Sequence, residues 1–466
     1  MPAIALRKYD VNDRDVNEVG DLERSARISH INKLWKYYDG DHHQPLKVEP
    51  GETDDNVIIN LCGRIVDKTV EFMGVPKSIE LPGGVDNVEQ GGKLVTQRSS
   101  DQTALDLFWQ YNDIESFVED TVQSGSIAGH VFLRLINDAA ENEVKVALLD
   151  PRLVQVFWNI NNTKQLLWYR LQWQVDRRTA MRQDIVPNWM LSDAPMYDSE
   201  SEWTIFEYSQ TGGRKRWDLV QDEKWEYPFA PIVDWKNRRR AHEYYGATDL
   251  RQPGLNDAIN FTASNIGRIL KFHAHPKTVG TGFTAEQLEA TSVDSFWTVP
   301  DKEAKVQNLE MQSDLSSSLN FLQLLRSEFF SQHRVLDISS VKDKLGQITN
   351  FGVRMLFSDQ LDNIESKRCV YGPGLGEVSR RVLVIMNKAR DMQPTVNWDD
   401  PLPVNRLEML QAAQLEQGLG TASTQTLAQD LGRDYTAEKD KLAEEAATQL
   451  EQQVTRATAL QQVGAP

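Results

Sequence analysis

The spacing of apolar residues divides the chain into helical flanks around a strand-rich middle. In DLERSARISHINKLWKYY, residues 21–38, apolar side chains recur at helical spacing, and Asp21 suits the N-cap position. From His130 the pattern changes to alternation, which is typical of half-buried strands. From Gly246 the helical period returns and dominates the rest of the chain.

Turn and cap signals place the individual elements. Helices are predicted at 21–38, 61–73 after an Asn60 cap, 100–111, 113–127, 247–271, 313–334, 348–390 and 405–417, and again after Ser423. Strands are predicted at 77–81, 130–138, 143–150, 153–158, 165–175, 202–209 and 214–220, and in TVGTGF and SFWTVP. A Gly-rich turn is expected at 82–92 and a long loop at 177–200. Pro373, in GPGLG, predicts a kink or break in the helix at 348–390.

The order of these elements predicts an α+β class with several domains. Two long helices enclose a small excursion at 276–312, and a polar loop, VLDISSVKDKLGQ, precedes the longest helical run. Two long helices around a small insertion suit a subunit packed around an axis, because many tilted copies can then line a channel.

Charge is the feature of the composition that bears on function. The 466 residues are 40% hydrophobic, which allows a sizeable core, and the formal charge is 51 − 68 = −17. A protein that grips DNA tightly usually presents a basic face, so strong DNA binding is not expected. Two distant cysteines predict neither a disulfide framework nor a metal site. MPAIALRKYDVNDRD lacks the apolar core of a signal peptide, and no run of about 18 apolar residues predicts a membrane span.

Motifs for catalysis do not occur in the sequence. GxxxxGK[ST], GxSxG and HExxH are absent, and acidic pairs stand in loop contexts rather than in the constellation that a metal-dependent nuclease needs. His42-His43 and His273-Ala-His275 have no cysteine or carboxylate at a convincing ligand spacing, so packed or solvated histidines are favoured. We therefore expect no catalytic residue, no metal and no cofactor.

Arg238-Arg239-Arg240 is the one dense basic run in the sequence. Guanidinium groups suit contact with phosphate. More often such a run is a solvated turn or pairs with acidic residues on a neighbouring subunit, and these interpretations are favoured here over direct contact with DNA.

Residues 227–265 resemble a segment of the portal proteins of tailed phages, in the SPP1-like branch. The likeness rests on Pro231-Ile232-Val233, Gly246-Ala247-Thr248-Asp249-Leu250, Leu255-Asn256-Asp257-Ala258-Ile259-Asn260 and Ser264. Thr248 stands where that family usually has serine, and both residues can cap a following helix. LWKYYDGDHHQPL, NVIINLCGRIVDKTVEFMGVP and TVNWDDPLPVNRLEMLQAAQLEQGLGTASTQTLAQDLGRD resemble other segments of the family, so the likeness runs from about 30 to 450.

The resemblance implies a portal-type multi-domain subunit with a helical stem, a small α/β clip, a β-containing wing and a helical crown. Its parts would be the wing at 1–246, stem helix 1 at 247–272, the clip at 273–312, stem helix 2 at 313–334, the tunnel loop at 335–348, the long kinked wing helix at 349–400 and the crown at 401–466.

The same resemblance implies roles for particular residues. The DNA-facing tunnel loop would contain Asp337, Lys342, Asp343, Lys344 and Gln347. Its lysines would offer transient phosphate contacts while its aspartates keep binding weak; alternatively, these charges pair with each other. Contacts between subunits or with partners are expected from the clip residues Phe283, Phe296 and Trp297, unless they pack inside one clip. The stem residues singled out are Asp249, Asn256, Asn260, Ser264 and Arg268.

The implied function is a ring, commonly of twelve subunits, at the capsid vertex of the virion. The ring would conduct double-stranded DNA passively during packaging and ejection, after assembly in the host cytoplasm. Its expected partners are a terminase ATPase, a head-tail adaptor, and the major capsid and scaffolding proteins, with no membrane. Two alternatives remain open from the sequence: a DNA-processing enzyme, such as a nuclease or terminase component, and a capsid or tail-connector protein that is not a portal.

Overall fold

The structure of the protein is a computed structural model. It describes residues 14–48, 50–51, 54–90, 93–138, 143–159, 162–175, 179–191, 203–211, 216–241, 243–274, 278–281, 305–308, 315–338, 350–388, 392–402 and 406–433, with scattered positions up to 446.

Two helices begin the described chain. α1 spans Arg14–Asp39 and α2 spans Leu61–Met73. The side chain of Asn60 accepts a hydrogen bond from the amide of Gly63 at 2.9 Å, as an N-cap does. The helix ends at Gly74, whose φ of 63° is a left-handed value that favours glycine. Both signals for α2 were predicted, whereas α1 starts well before Asp21.

The middle of the chain is mainly antiparallel sheet. Its helices are α3 (Ser100–Tyr111) and α4 (Ile114–Ala128). Its strands are β1 (Pro76–Glu80), β2 (Val85–Gln90), β3 (Lys93–Arg98), β4 (His130–Asp138), β5 (Glu143–Leu149), β6 (Val154–Asn159), β7 (Asn162–Gln174), β8 (Thr179–Pro187), β9 (Trp203–Thr211), β10 (Asp218–Trp225) and β11 (Ile232–Lys236). A short 3-10 turn, Asn188–Met190, follows β8.

The second half is mainly helical. It contains α5 (Gly254–Ala274), β12 (Thr278–Thr281), β13 (Lys305–Asn308), α6 (Leu315–His333), α7 (Asn350–Leu356), α8 (Ser358–Ile385), β14 (Thr395–Trp398), α9 (Arg406–Leu419) and α10 (Thr424–Asp430). The strands form a five-stranded sheet in the order β10-β9-β8-β7-β6, a three-stranded sheet β11-β4-β5, and the pairs β1-β14, β12-β13 and β2-β3. The predicted α+β class is confirmed.

Two elements correct the predicted pattern. The Gly-rich turn at 82–92 is in fact the hairpin β2–β3, and β8 occupies part of the predicted loop at 177–200. β8 was missed because its buried face carries charge: Asp184 forms ion pairs with Arg170 at 3.1 Å and with Arg182 at 3.0 Å. Polar residues inside a sheet hide the alternation that marks a strand.

The long C-terminal helix is interrupted at Phe357, not at the predicted GPGLG. α8 continues through Pro373, and the flanking glycines allow close packing on its neighbours. A Cβ added at Gly374 would lie 2.5 Å from the ring of Trp235, on β11. Packing of α8 against β11 therefore outweighs the local preference of proline to end a helix.

Two main apolar cores organise the molecule. The larger core joins α3, α4 and α8 to the faces of the two larger sheets. The second core brings α1 and α2 together with the start of α5 and the end of α6, through residues such as Leu34, Ile65, Ile259 and Phe329. α4 contributes to both cores, with Phe117 and Val122 in the larger one and Ile127 in the second.

Candidate functional site

The helices α5 and α6 form an antiparallel hairpin. Ile259 near the start of α5 and Phe329 near the end of α6 lie in the same buried core. At the other end, α5 leads into β12 and α6 follows β13, and these two strands pair antiparallel from Thr278↔Asn308 to Thr281↔Lys305. With 21 and 19 residues, the helices are about 32 and 28 Å long at about 1.5 Å per residue. One end of the hairpin is anchored and the other carries the small strand pair.

The hairpin exposes large apolar side chains along its length. Five of them are 46% to 63% exposed, a high value for residues of this type. They are Phe261, Leu270, Leu319, Phe321 and Leu324. The described part of this chain leaves this apolar surface uncovered, and such surfaces typically mark contacts with another molecule.

A row of polar side chains on α5 holds the segment before α2. Asn256 accepts hydrogen bonds from the amides of Leu61 (2.9 Å) and Cys62 (3.2 Å), and donates to the carbonyl of Ile59 at 2.8 Å. Asn260 accepts from the amide of Ile59 at 3.0 Å.

Two further residues extend this row in the same direction. Ser264 accepts from the amide of Val57 at 2.9 Å. The guanidinium of Arg268 donates to the carboxylate of Asp55 at 2.8 Å and to the carbonyl of Lys47 at 3.2 Å.

The spacing of the row follows from helix and strand geometry. The four residues recur every fourth position on α5, an advance of about 6.0 Å along a helix. Alternate residues of an extended segment advance by about 6.6 Å. The two repeats therefore match. The polar ladder, formed by Asn256, Asn260, Ser264 and Arg268, fixes residues 55–62 to α5.

Asp249 is the charged centre of the hinge that leads into α5. Its side chain is only 2% exposed, and one carboxylate oxygen pairs with Arg238 at 2.6 Å while the other pairs with Lys367 on α8. Lys367 also donates to the hydroxyl of Ser126 at 3.0 Å. Although burial opposes ionisation, the charges of Lys367 and Arg238 lower the pKa of Asp249 to about 2. Asp249 is therefore ionised at neutral pH and joins α4, α8 and the hinge.

Thr248 has a different role from the one predicted for it. Its hydroxyl donates to the carbonyl of Ser126 at 2.9 Å and accepts from the amide of Leu250 at 3.0 Å. Because α5 begins only at Gly254, Thr248 does not cap that helix. Residues 246–253 form an extended hinge, and Thr248 fixes the hinge to the end of α4.

A second buried polar network lies beside the hinge. Asp234 on β11 accepts hydrogen bonds from Tyr244 at 2.6 Å and from Tyr169 at 2.5 Å, and contacts Nε2 of His130 at 2.8 Å. The other ring nitrogen of His130 accepts from the amide of Gly246 at 3.3 Å, so it carries no proton. Burial lowers the pKa of His130, which agrees with a neutral imidazole.

These buried partners were not identified from the sequence. A charged residue in the apolar strand PIVDWK was the available signal for Asp234. For Lys367, the signal was its place on the helix face that carries Ile364 and Tyr371, both of which are buried. Neither signal names its partner, because the partners are distant in the chain.

The histidines and the basic run can also be placed. Nε2 of His42 lies 3.4 Å from the side-chain oxygen of Asn60, and Nδ1 lies 3.7 Å from Asp257. Within the described residues, no three His, Cys, Asp or Glu side chains are grouped to hold a metal ion. In the basic run, Arg238 pairs with Asp249 and Arg240 pairs with Glu243 at 2.9 Å.

Comparison with known proteins adds the family. The model for the phage portal protein family described as SPP1 Gp6-like matches residues 22–452. The chain belongs to this family. The match includes the hinge, the stem hairpin, the sheets and α9–α10, so a portal function at the capsid vertex and a place in the virion follow from it. Portal proteins are structural components of the virion, and membership identifies no catalytic site.

A solved structure has a similar fold. A chain in the neck of an empty GTA particle, computed with C6 symmetry, gives a TM-score of 0.50 at 12% identity, covering 86% of this chain and 93% of that one. A chain from the virion of a native gene transfer agent particle gives 0.49 at 11% identity, with coverage of 89% and 99%. Among curated proteins no significant match was found. Within the part of the chain that is described, no helix is long and apolar enough to cross a membrane.

The regions predicted to be the tunnel loop and the clip are only partly described. Asp337 pairs with Arg326 of α6 at 2.9 Å. The other predicted loop residues, Lys342, Asp343, Lys344 and Gln347, lie outside the described residues, as do the clip residues Phe283, Phe296 and Trp297. The five predicted stem residues are all described, and they contact the hinge partners and the segment before α2.

Proposed function

We propose that this chain assembles into a closed homo-oligomeric ring in which the α5–α6 hairpins line a channel for viral DNA. The observation that carries the proposal is the hairpin itself. It is anchored in the second core at one end, holds a small strand pair at the other, and exposes the apolar residues Phe261, Leu270, Leu319, Phe321 and Leu324. Neighbouring copies around an axis would cover that surface.

Closure of the ring follows from the kind of contact. A head-to-tail interface between identical subunits gives a ring when the rotation between neighbours closes. Covering apolar side chains that are about half exposed stabilises such an interface by about 25 cal/mol per Å² removed from water. Twelve copies, the number implied by the family resemblance, remain the expected stoichiometry.

The channel would conduct DNA without gripping it. A net charge of −17 disfavours strong binding of a polyanion at close range, and tight phosphate contacts would hinder sliding. Lys342 and Lys344 would supply weak, transient contacts from the tunnel loop. The pairing of Asp337 with Arg326 already neutralises one aspartate of that loop.

The partners of the ring are assigned by the same proposal. The strand pair β12–β13 belongs to the clip, and Phe283, Phe296 and Trp297 would contact neighbouring subunits, the terminase during packaging, and the head-tail adaptor later. The energy for packaging would come from the terminase, because the sequence has no P-loop. Capsid and scaffolding proteins would surround the wing during assembly in the host cytoplasm.

Charge reversal in the tunnel loop tests the DNA path. In a packaging assay with purified proheads and terminase, Lys342→Glu/Lys344→Glu should reduce the DNA length packaged, while rings still form. Lys77→Glu, at a wing lysine that is 71% exposed, is the matched control and should package normally. Equal packaging by both variants would refute the loop assignment and leave the ring assignment intact.

A further inference from the structure

A strongly basic cleft lies at the hinge. Its volume is about 690 Å³, and its lining comes from α1, the end of α4, the basic run and the residues before α5. Five arginines line it: Arg27, Arg238, Arg239, Arg240 and Arg251. Among the described lining residues Glu243 is the one acid, so these residues carry a formal charge of +4.

This charge is only partly offset from behind the cleft. Asp249 pairs with Arg238, but Lys367 shares the same carboxylate and offsets its charge. Asp234, which contacts the lining residue His130 at 2.8 Å, adds one negative charge. The cleft is therefore positively charged although the chain carries a net charge of −17.

Three of the five arginine side chains have partners among the described residues, and two have none. Arg27 donates to the carbonyl of Pro151 at 2.6 Å and lies over the ring of Tyr245 at 4.5 Å. Arg238 and Arg240 have carboxylate partners. Arg239 and Arg251 are exposed, and their side chains make no hydrogen bond or ion pair with the described residues. Two guanidinium groups are thus free to bind a ligand.

The electrostatics of Arg251 agree with an anion here. Partial burial and the nearby charges of Arg238 and Arg334 lower the pKa of Arg251, and together they outweigh the opposing charge of Asp249.

We propose that this cleft binds phosphate groups, carried either by a free polyphosphate or by a nucleic-acid backbone. Guanidinium forks match the oxygens of phosphate in pairs. A cleft of about 690 Å³ falls in the size range of small-ligand sites. A formal charge of +4 suits a multiply charged phosphate better than a single side-chain carboxylate. The site is separate from the proposed channel and does not require a ring.

Calorimetry of the full-length protein with pyrophosphate tests the proposal at low salt. Wild-type protein should bind one pyrophosphate per subunit. Arg239→Gln/Arg251→Gln should weaken binding by about tenfold for each charge-assisted hydrogen bond lost. Arg216→Gln, at an exposed arginine on the approach to β10, should bind like wild type. Neither Arg239 nor Arg251 makes an ion pair with the described residues, so the double variant should fold. Circular dichroism would verify the fold of this variant and of Arg216→Gln.

A short duplex DNA separates the two sources of phosphate. If DNA displaces pyrophosphate, and the double variant lowers the slope of log affinity against log salt by about 1.8, the source is a nucleic-acid backbone. If DNA does not displace pyrophosphate, the source is a free polyphosphate. The proposal is overturned if wild type binds no pyrophosphate, or if the double variant binds as well as Arg216→Gln. Tighter binding of a poly-glutamate peptide than of pyrophosphate, lost in the double variant, would instead assign the cleft to an acidic protein segment.

Discussion

The ammonium group of Lys367 on α8 is paired with the carboxylate of Asp249 in the hinge, and both side chains are almost fully buried. This pair joins α8, the longest described helix, to the residues that lead into α5. Ser126 at the end of α4 accepts a hydrogen bond from the same lysine. A change in the angle between α8 and the hinge must therefore either break this contact or move its residues together.

Removing Lys367 should destabilise the protein strongly. Breaking a buried ion pair leaves the other charge without compensation and typically costs about 3–5 kcal/mol. Arg238 still pairs with Asp249 at 2.6 Å. The free energy of unfolding lost in Lys367→Met should therefore lie at the low end of this range, about 3 kcal/mol. Urea unfolding measures the loss. Lys388→Met, at a half-exposed lysine 3.8 Å from Asp101, is the control and should cost less than about 1 kcal/mol.

Stability should fall in acid through Asp249. The pKa of this carboxyl is lowered from 3.8 to about 2 in the folded state. A carboxyl group whose pKa is lowered by folding stabilises the folded state fully at a pH above its pKa in the unfolded chain. This stabilisation is lost as the pH falls towards its pKa in the folded state. The contribution is about 2 kcal/mol, lost between about pH 4 and pH 2. Asp249→Asn should flatten this part of the stability profile; an unchanged slope would contradict the ionised carboxylate.

The polar ladder on α5 should protect specific amides from exchange. Asn256→Ala removes the acceptor for the amides of Leu61 and Cys62, and leaving buried groups unsatisfied costs about 1–3 kcal/mol. Hydrogen exchange at these amides should become faster than in wild type. Thr262→Ala is the control on the same helix, because the hydroxyl of Thr262 bonds only locally, to Ala258. Similar exchange in both variants would show that the ladder does not hold the segment.

The exposed apolar surface of the stem should be needed for assembly. Leu324 on α6 is 63% exposed, so Leu324→Asp should leave the subunit folded while a charge enters the interface between copies. Native mass spectrometry should then show subunits in place of rings. Leu107→Asp provides the control, since this α3 residue is similarly exposed at 59% but lies outside the stem. Loss of rings in both variants would show that the apolar surface of the α5–α6 hairpin has no specific part in ring assembly.

Local signals predicted local structure well. Asn60 and Gly74 mark the ends of α2, and Asn112-Asp113 marks the break between α3 and α4, where Asp113 takes a positive φ of 47°. Such signals act through backbone groups within a few residues. They failed where distant contacts decide, as at Pro373, where packing on Trp235 keeps α8 continuous.

The stem residues show what the sequence could and could not indicate. Asn256, Asn260, Ser264 and Arg268 lie four positions apart, so their common face on a helix was readable. Their partners were not, because residues 47–62 are about two hundred positions away in the chain. Asp249 could be singled out because it lies in the motif shared with the family. Its pairing with Lys367 could be seen only in the structure.

Electron cryomicroscopy of the purified full-length protein tests the central claim most directly. The account predicts closed rings with a central channel wide enough for duplex DNA, whose wall is formed by α5 and α6 of successive subunits. Compact monomers that cleave DNA, open filaments, or rings with the α5–α6 hairpins on their outer surface would contradict it.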